Sequence, residues 1–210
     1  MIPWLWVVVS YLLGSVPSSY LAGRWVRGID LREHGSGNLG ATNAFRVLGT
    51  RVAAPVMVFD MAKGFIPASL FAQWDRSDAW AWALAYGAAA ILGHVFSIYM
   101  GLKGGKGVAT ATGVFLALSP VAVGIAIVLW LIVLRAWRMV SLASIVAAAV
   151  LVVALIFTES RPEVLTLGIL VASFVIYAHR ANVRRILKGE EHRFGKPKRV
   201  EPTGGKGRSA

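Results

Sequence analysis

Residues 107–134 read GVATATGVFLALSPVAVGIAIVLWLIVL, 28 positions without an ionisable side chain. As one helix rising about 1.5 Å per residue, this run would overshoot a hydrocarbon core of roughly 30 Å. It contains Ser119-Pro120, where proline lacks an N–H and pushes the residue before it out of helical geometry. The run is therefore expected to fold as two shorter helices. Splitting it also moves every later loop to the opposite side of the membrane, and the charges can test that.

Other low-charge runs lie at 1–23, 52–73 (interrupted by Asp60 and Lys63), 79–102, 139–158 and 164–178. Counting the 107–134 run once gives six spans, and counting it twice gives seven. With seven, Arg24, Arg27, Arg32, Arg46, Arg51, Lys103, Lys106, Arg135, Arg138 and the ten basic residues from Arg180 onward share one face, nineteen of the 22 Lys and Arg. Only Arg76 and Arg161 fall on the other side, and Lys63 lies within a span. With six, the tail changes side and the division becomes eight inside against thirteen outside. Cytoplasmic loops carry the excess of Lys and Arg. The expected fold is thus all-α, a polytopic integral membrane protein with seven transmembrane helices, N-terminus outside and C-terminus cytoplasmic. Spans four and five are expected to be short and to need bilayer thinning, tilt or shielding by neighbours. A secretory signal peptide is the rival reading of 1–23, but Arg24 follows the apolar run instead of preceding it, and no clear small-x-small cleavage site follows.

The composition points the same way. Of 210 residues 57% are apolar, against about 45 to 50% in soluble domains. Only 15% are charged, yet the net charge is +12. An ordinary soluble domain is excluded, and because the membrane accounts for the placement of the basic residues, no nucleic-acid partner is expected. The absence of cysteine removes disulfides, thiolate metal sites and a cysteine nucleophile. One membrane domain is expected over 1–194, followed by a basic, disordered cytoplasmic tail over 195–210 that includes Gly204-Gly205-Lys206-Gly207.

Three stretches on the basic face carry chemistry. The first, Gly35-Ser36-Gly37-Asn38-Leu39-Gly40-Ala41-Thr42-Asn43-Ala44-Phe45-Arg46, joins small residues to hydroxyls, amides and a guanidinium. Its glycines let consecutive N–H groups approach an anion. The second, Lys103-Gly104-Gly105-Lys106-Gly107-Val108-Ala109-Thr110, runs into an apolar helix and offers a phosphate backbone N–H groups, a helix dipole and two ammonium groups. It is not a Walker A motif, since Gly107 stands where Ser or Thr is required, so phosphate binding without nucleotide hydrolysis is expected. The third begins at His179; if the helix continues, His179, Asn182 and either Arg185 or Ile186 share a face. Within the membrane, Asp60 and Lys63 read as a structural ion pair and His94 as a hydrogen bond between helices. Ser141 and Ser144 are weaker candidates on span six. No H-E-x-x-H, Cys/His metal spacing, G-x-S-x-G elbow or His-x4-Asp signature occurs. A reaction without metal or cofactor is favoured.

Taken in order, these stretches resemble the PlsY family of bacterial membrane acyltransferases. The matching residues are Ser36-Gly37-Asn38, Gly40-Ala41-Thr42-Asn43 and Arg46; Gly93-His94 and Lys103 to Thr110; then His179-x-x-Asn182-x-x-Arg185 and Gly189-x-Glu191. The resemblance implies a fatty acyl group moving from acyl phosphate to glycerol 3-phosphate, with lysophosphatidic acid as product, in phospholipid synthesis. It also implies a site facing the cytoplasm from the bacterial inner membrane, with Ser36, Arg46, Lys106, Ser144, His179 and Asn182 as its polar pocket. Arg46, Lys103, Gly104, Gly105, Lys106, Gly107 and Ser144 are expected to bind phosphate. His179 and Asn182 are expected to orient the acceptor, and Ser36, Asn38 and Thr42 to serve the reacting centre. Membrane lipids are the expected surroundings, and a monomer is the expected state. The alternatives are a transporter or flippase of a phosphorylated metabolite, or an acyltransferase fed by acyl-CoA or acyl carrier protein. Transporters usually bind at the midplane between repeats, whereas these motifs gather at one face.

Overall fold

The computed structural model describes residues 2–75 and 80–194. Arg76, counted above on the outer face, and the tail 195–210 lie outside the described residues. Among the described residues every regular element is helical. Helices α1 (Pro3–Ser15) and α2 (Ser18–Arg27) form a first apolar segment that breaks at Val16-Pro17. A single turn at Leu31–Glu33 and α3 (Ala41–Leu48) precede α4 (Thr50–Ile66). Pro67 then opens a wide turn over Pro67–Phe71, which ends in α5 (Ala72–Trp74). The remaining elements are α6 (Ala81–Val95), a tight turn at Ile98–Met100, α7 (Val108–Leu118), α8 (Pro120–Trp137), α9 (Val140–Thr158), α10 (Pro162–Ala178) and α11 (Arg180–Leu187).

The expected division of 107–134 is present: α7 stops at Leu118, and Pro120 takes the first position of α8, where its missing N–H costs nothing. Five segments are long and apolar enough to cross a membrane, namely Pro3–Arg27, Thr50–Trp74, Ala81–Met100, Pro120–Trp137 and Val140–Thr158. A sixth follows if α10 and α11, bent by 53° at His179, count as one broken span. The expectation that both halves of 107–134 would be short is corrected for the second half, because α8 runs on past Arg135 to 18 residues. Shortness falls on α7 alone. Its 11 residues reach only about 16 Å. It is wrapped by its neighbours, with Val114 and Phe115 wholly buried in a core shared by α6, α8, α9 and α10.

Two crossings hold the membrane part together, and both are built alike. Where α1 meets α6, a side chain on Gly14 would overlap the Ala90 carbonyl and one on Gly93 the Tyr11 carbonyl. Where α4 meets α7, Gly64 is pressed on the Thr110 carbonyl and Gly113 on that of Met61. In each case a glycine faces the carbonyl of the residue three positions before the opposing glycine. Lipid supplies no hydrophobic drive between helices, so such backbone-close packing carries much of their association. Replacement of Gly64 or Gly113 by valine is expected to cost about 1 to 3 kcal/mol through overpacking, lowering the thermal midpoint in detergent by about 2 to 4 °C for each kcal/mol. Gly124→Val is the matched control, because a Cβ there has no neighbour within 4 Å; equal midpoints for all three variants would sink this account.

Candidate active site

The first stretch is organised by a residue to which the sequence assigned no role. Asn43 is buried and donates through Nδ2 to the Leu31 carbonyl at 3.3 Å and the His34 carbonyl at 3.0 Å. Its Oδ1 accepts the Ser36 N–H at 2.8 Å. Asn38 Oδ1 accepts the Gly40 N–H at 3.0 Å, a local turn leading into α3. Ser19 Oγ donates to the Leu39 carbonyl at 2.7 Å and ties the loop to α2. The loop is thus a fixed ring of hydrogen bonds and not a slack linker. Ser36 and Thr42 stand exposed on it, and Arg46 follows Thr42 by one helical turn, on the same face.

The second stretch differs from its expectation at two residues. The N–H groups of Gly104 and Gly105, counted on for an anion, donate instead to the Val95 carbonyl at 2.9 Å and the His94 carbonyl at 3.1 Å. Both residues must be glycine for steric reasons, because a side chain on Gly104 would overlap the His94 carbonyl and one on Gly105 the His94 ring. Gly107 is left-handed, with φ 81°, and turns the chain into α7. The N–H groups of Lys106 through Ala109 make no hydrogen bond among the described residues. An anion here would therefore meet the open first turn of α7 rather than the glycines before it. Lys103 is exposed and is not joined to the polar cluster.

That cluster starts at Lys106, whose Nζ donates to Asn182 Oδ1. Asn182 Nδ2 donates to Glu191 Oε1 at 2.8 Å, which also accepts Ser141 Oγ at 3.0 Å. Glu191 Oε2 takes Arg185 Nε at 2.7 Å. Asn182, Ser141 and Glu191 are buried. The helix does not continue smoothly through His179 as supposed; the bend there turns Asn182 and Arg185 inward over the N-terminus of α9. His179 is buried, and its Nδ1 meets the Val175 carbonyl at 2.7 Å. A carbonyl only accepts, so Nδ1 carries the proton and Nε2 is left with a free lone pair. Ser144, one turn beyond Ser141, is buried and accepts Trp130 Nε1 at 3.3 Å, without a bond to the cluster.

Electrostatics complete the picture. Arg46 lies within reach of the charges of Glu191 and Arg185, and Lys106 feels Arg185, Glu191, Arg180 and Arg46. Arg46, Lys106 and Arg185 thus lie around one carboxylate, and Arg180 adds its charge beside Lys106. Burial, then repulsion by Arg185, brings the Lys106 ammonium down to about 8. Burial pushes Glu191 upward, but its hydrogen bonds from Asn182, Arg185 and Ser141 outweigh this and hold it below the usual range. Such a site has a standing deficit of negative charge. Of the residues expected to act, Arg46, Lys106, His179 and Asn182 converge on it, and Gly107 shapes its helix entrance. Ser36, Asn38 and Thr42 line the neighbouring loop without a direct bond to it. Glu191 and Ser141 hold the site together; the sequence marked Ser141 as a weaker candidate and Glu191 as part of the third motif, but not their pairing, because Glu191 lies nine residues from Asn182 and fifty from Ser141.

Known proteins resemble this chain along most of its length. A family model described as glycerol-3-phosphate acyltransferase matches residues 4–189. The glycerol-3-phosphate acyltransferase of Trichlorobacter lovleyi is 43% identical over 189 residues, covering 90% of this chain and 96% of that protein. That of Synechococcus elongatus is 45% identical, with 90% and 92% covered. The crystal structure of PlsY (YgiH), an integral membrane glycerol 3-phosphate acyltransferase, in its glycerol 3-phosphate form superposes with a TM-score of 0.86 at 40% identity, covering 93% of this chain and 96% of that one. Its lysophosphatidic acid form gives 0.83 at 39% identity, with the same coverage. With the match running almost from end to end, the chain belongs to the glycerol-3-phosphate acyltransferase family.

Proposed function

We propose that this protein moves a fatty acyl group from acyl phosphate to the hydroxyl of glycerol 3-phosphate, releasing 1-acyl-glycerol 3-phosphate and inorganic phosphate. The observation that carries the reading is the Lys106–Asn182–Glu191 chain, set among surplus cations beside the open N-terminus of α7. Both substrates are phosphate anions, and a cation-rich, half-buried site favours them. An acyl phosphate is a mixed anhydride with a good leaving group, so positioning and charge stabilisation suffice without a covalent enzyme intermediate. Arg46, Lys106 and the free N–H groups of α7 bind phosphate. His179 Nε2 and Asn182 orient the attacking hydroxyl. Ser36, Asn38 and Thr42 face the developing oxyanion from the adjoining loop. The hydroxyl oxygen bonds to the acyl carbon, the carbon–oxygen bond to the phosphate breaks, and the departing phosphate takes the hydroxyl proton.

In the proposed topology α7 counts as a span, giving seven with the N-terminus outside and this site on the cytoplasmic face of a bacterial inner membrane. The acyl tail enters from the bilayer, and the protein acts as a monomer. The basic residues flanking α2, α7, α8 and α11 support this orientation.

The reaction is tested with purified protein, glycerol 3-phosphate and palmitoyl phosphate, palmitoyl-CoA or palmitoyl carrier protein in parallel. Lysophosphatidic acid should form from the acyl phosphate alone; product only from a thioester would reassign the donor. Lys106→Ala should lower kcat/KM for glycerol 3-phosphate by about 100-fold, the loss of a charged partner costing about 2 to 3 kcal/mol, and an unchanged value would defeat the phosphate assignment. The same constant should fall as pH rises through about 8, where the free Lys106 ammonium loses its proton. Lys106→Arg, charged throughout, should flatten that limb whatever its absolute rate. Because the chain has no cysteine, single replacements report topology. Ser160→Cys should react with an impermeant maleimide on intact cells, and Arg27→Cys and Trp137→Cys only after permeabilisation. The reverse pattern would invert the orientation.

A further inference from the structure

Outside the site just described, three buried titratable side chains meet between the two glycine crossings: Asp60 and Lys63 on α4 and His94 on α6. Lys63 Nζ lies 2.8 Å from Asp60 Oδ1, the ion pair expected from their spacing. It does not simply neutralise its neighbour, because Nζ also donates at 2.9 Å to the Val16 carbonyl, left open where α1 breaks. Asp60 Oδ1 accepts Ser18 Oγ at 2.6 Å and stands 3.8 Å from His94 Nδ1. The hydrogen bond between helices expected of His94 is not formed. Its Nδ1 is buried without a partner, as is Asp60 Oδ2. The ring instead lies beneath Gly105, and the His94 carbonyl accepts the Gly105 N–H.

Such a buried cluster is weak evidence for a purely stabilising role. Buried ion pairs seldom repay their desolvation, and well-packed apolar side chains of similar volume often do as well. Orphaned polar atoms add to that cost. What this cluster does possess is position. On one side it reaches Ser18, next to the Ser19 that fastens the first loop at Leu39. On the other it supports Gly104 and Gly105, directly before Lys106. A cavity of about 10 Å³ bounded by Leu39, Lys63, His94, Gly104 and Gly105 lies where the two loops adjoin.

We propose that Asp60, Lys63 and His94 form a positioning unit that sets the aim of Lys106 at the substrate phosphate, through His94 beneath the Gly104–Gly105 turn, and ties that turn, through the Val16 carbonyl and Ser18, to the break between α1 and α2 from which Ser19 holds the first loop. This rests on the glycerol 3-phosphate reading of the site. None of the three touches substrate; they act through the loop.

The test uses the full chain in detergent, with glycerol 3-phosphate varied at saturating palmitoyl phosphate and, separately, the rise in thermal midpoint that glycerol 3-phosphate produces without donor. His94→Ala and Gly105→Ala should each raise KM about tenfold with kcat within about threefold, since the loop is misplaced while the reacting groups remain. The double variant should recover most of the loss, because the new methyl occupies the space the ring has left. Asp60→Leu with Lys63→Met should keep the thermal midpoint and still raise KM. Unshifted KM values in active variants would overturn the proposal, and so would failure of the double variant to recover. Loss of a monodisperse folded species in all of them would reduce the cluster to a structural role and overturn it as well. An unaltered chain that is stabilised by glycerol 3-phosphate but transfers nothing would count against the reaction and leave the binding arm to decide the positioning unit. One that glycerol 3-phosphate does not stabilise would overturn both.

Discussion

The hydrogen bond from Lys106 to Asn182 joins residues 76 apart in the chain. It closes the loop between α6 and α7 against the bent end of the last span. Lys106 stands on a glycine-bounded turn, and Asn182, also held by Glu191, on a helix that has swung 53° away from α10. The bond brings the positive end of α7 and the cationic face of α11 to one place. Arg46 then only has to come in from α3 for four cations to share a single half-buried site.

That closure demands accurate placement of α7, a helix too short to be set by the thickness of the bilayer. Its depth is fixed by contact instead. The Gly64–Thr110 and Gly113–Met61 approaches pin it to α4, and Phe115 and Val114 fill the space between it and the later spans. Backbone-to-backbone packing leaves little freedom to slide, since a shift of one residue would drive a side chain onto a carbonyl. The energetics of the membrane part are thus transmitted to the site as geometry: the crossings fix α7, α7 fixes Gly107, and Gly107 fixes Lys106.

Much of this was legible from the chain alone, for identifiable reasons. Charge placement and Ser119-Pro120 divided the long apolar run where the helices divide, because proline acts on its own neighbours and needs no tertiary context. The cationic and amide residues of the site were legible because they sit in short segments beside apolar spans. What escaped were the pairings. Asn43 looked like one more loop amide, yet it organises the loop, because its three partners come from a turn whose shape sequence spacing does not encode. Gly104 and Gly105 looked like anion donors, and their N–H groups are used on the end of α6. Glycine signals close approach, but not what approaches. The bend at His179 was missed because no proline or glycine marks it; the ring holding the Val175 carbonyl stands at the break instead.

Glu191 shows why such a site holds one carboxylate and not several. Without it, Arg46, Lys106, Arg180 and Arg185 would repel one another with no internal counterion, and the Lys106 ammonium would be harder still to keep charged. With a carboxylate for every cation, the field that attracts a phosphate would vanish. A single acid bound by Asn182, Ser141 and Arg185 uses its lone pairs to orient the amide that holds Lys106, and leaves the site short of negative charge. On the proposed reading of the site, an incoming phosphate does two things at once. It relieves the repulsion and returns the Lys106 ammonium toward its ordinary basicity, so part of the binding free energy is the restoration of a charge that burial had weakened. The lowered basicity of Lys106 comes first from burial and then from repulsion by Arg185, and Glu191 offsets part of it.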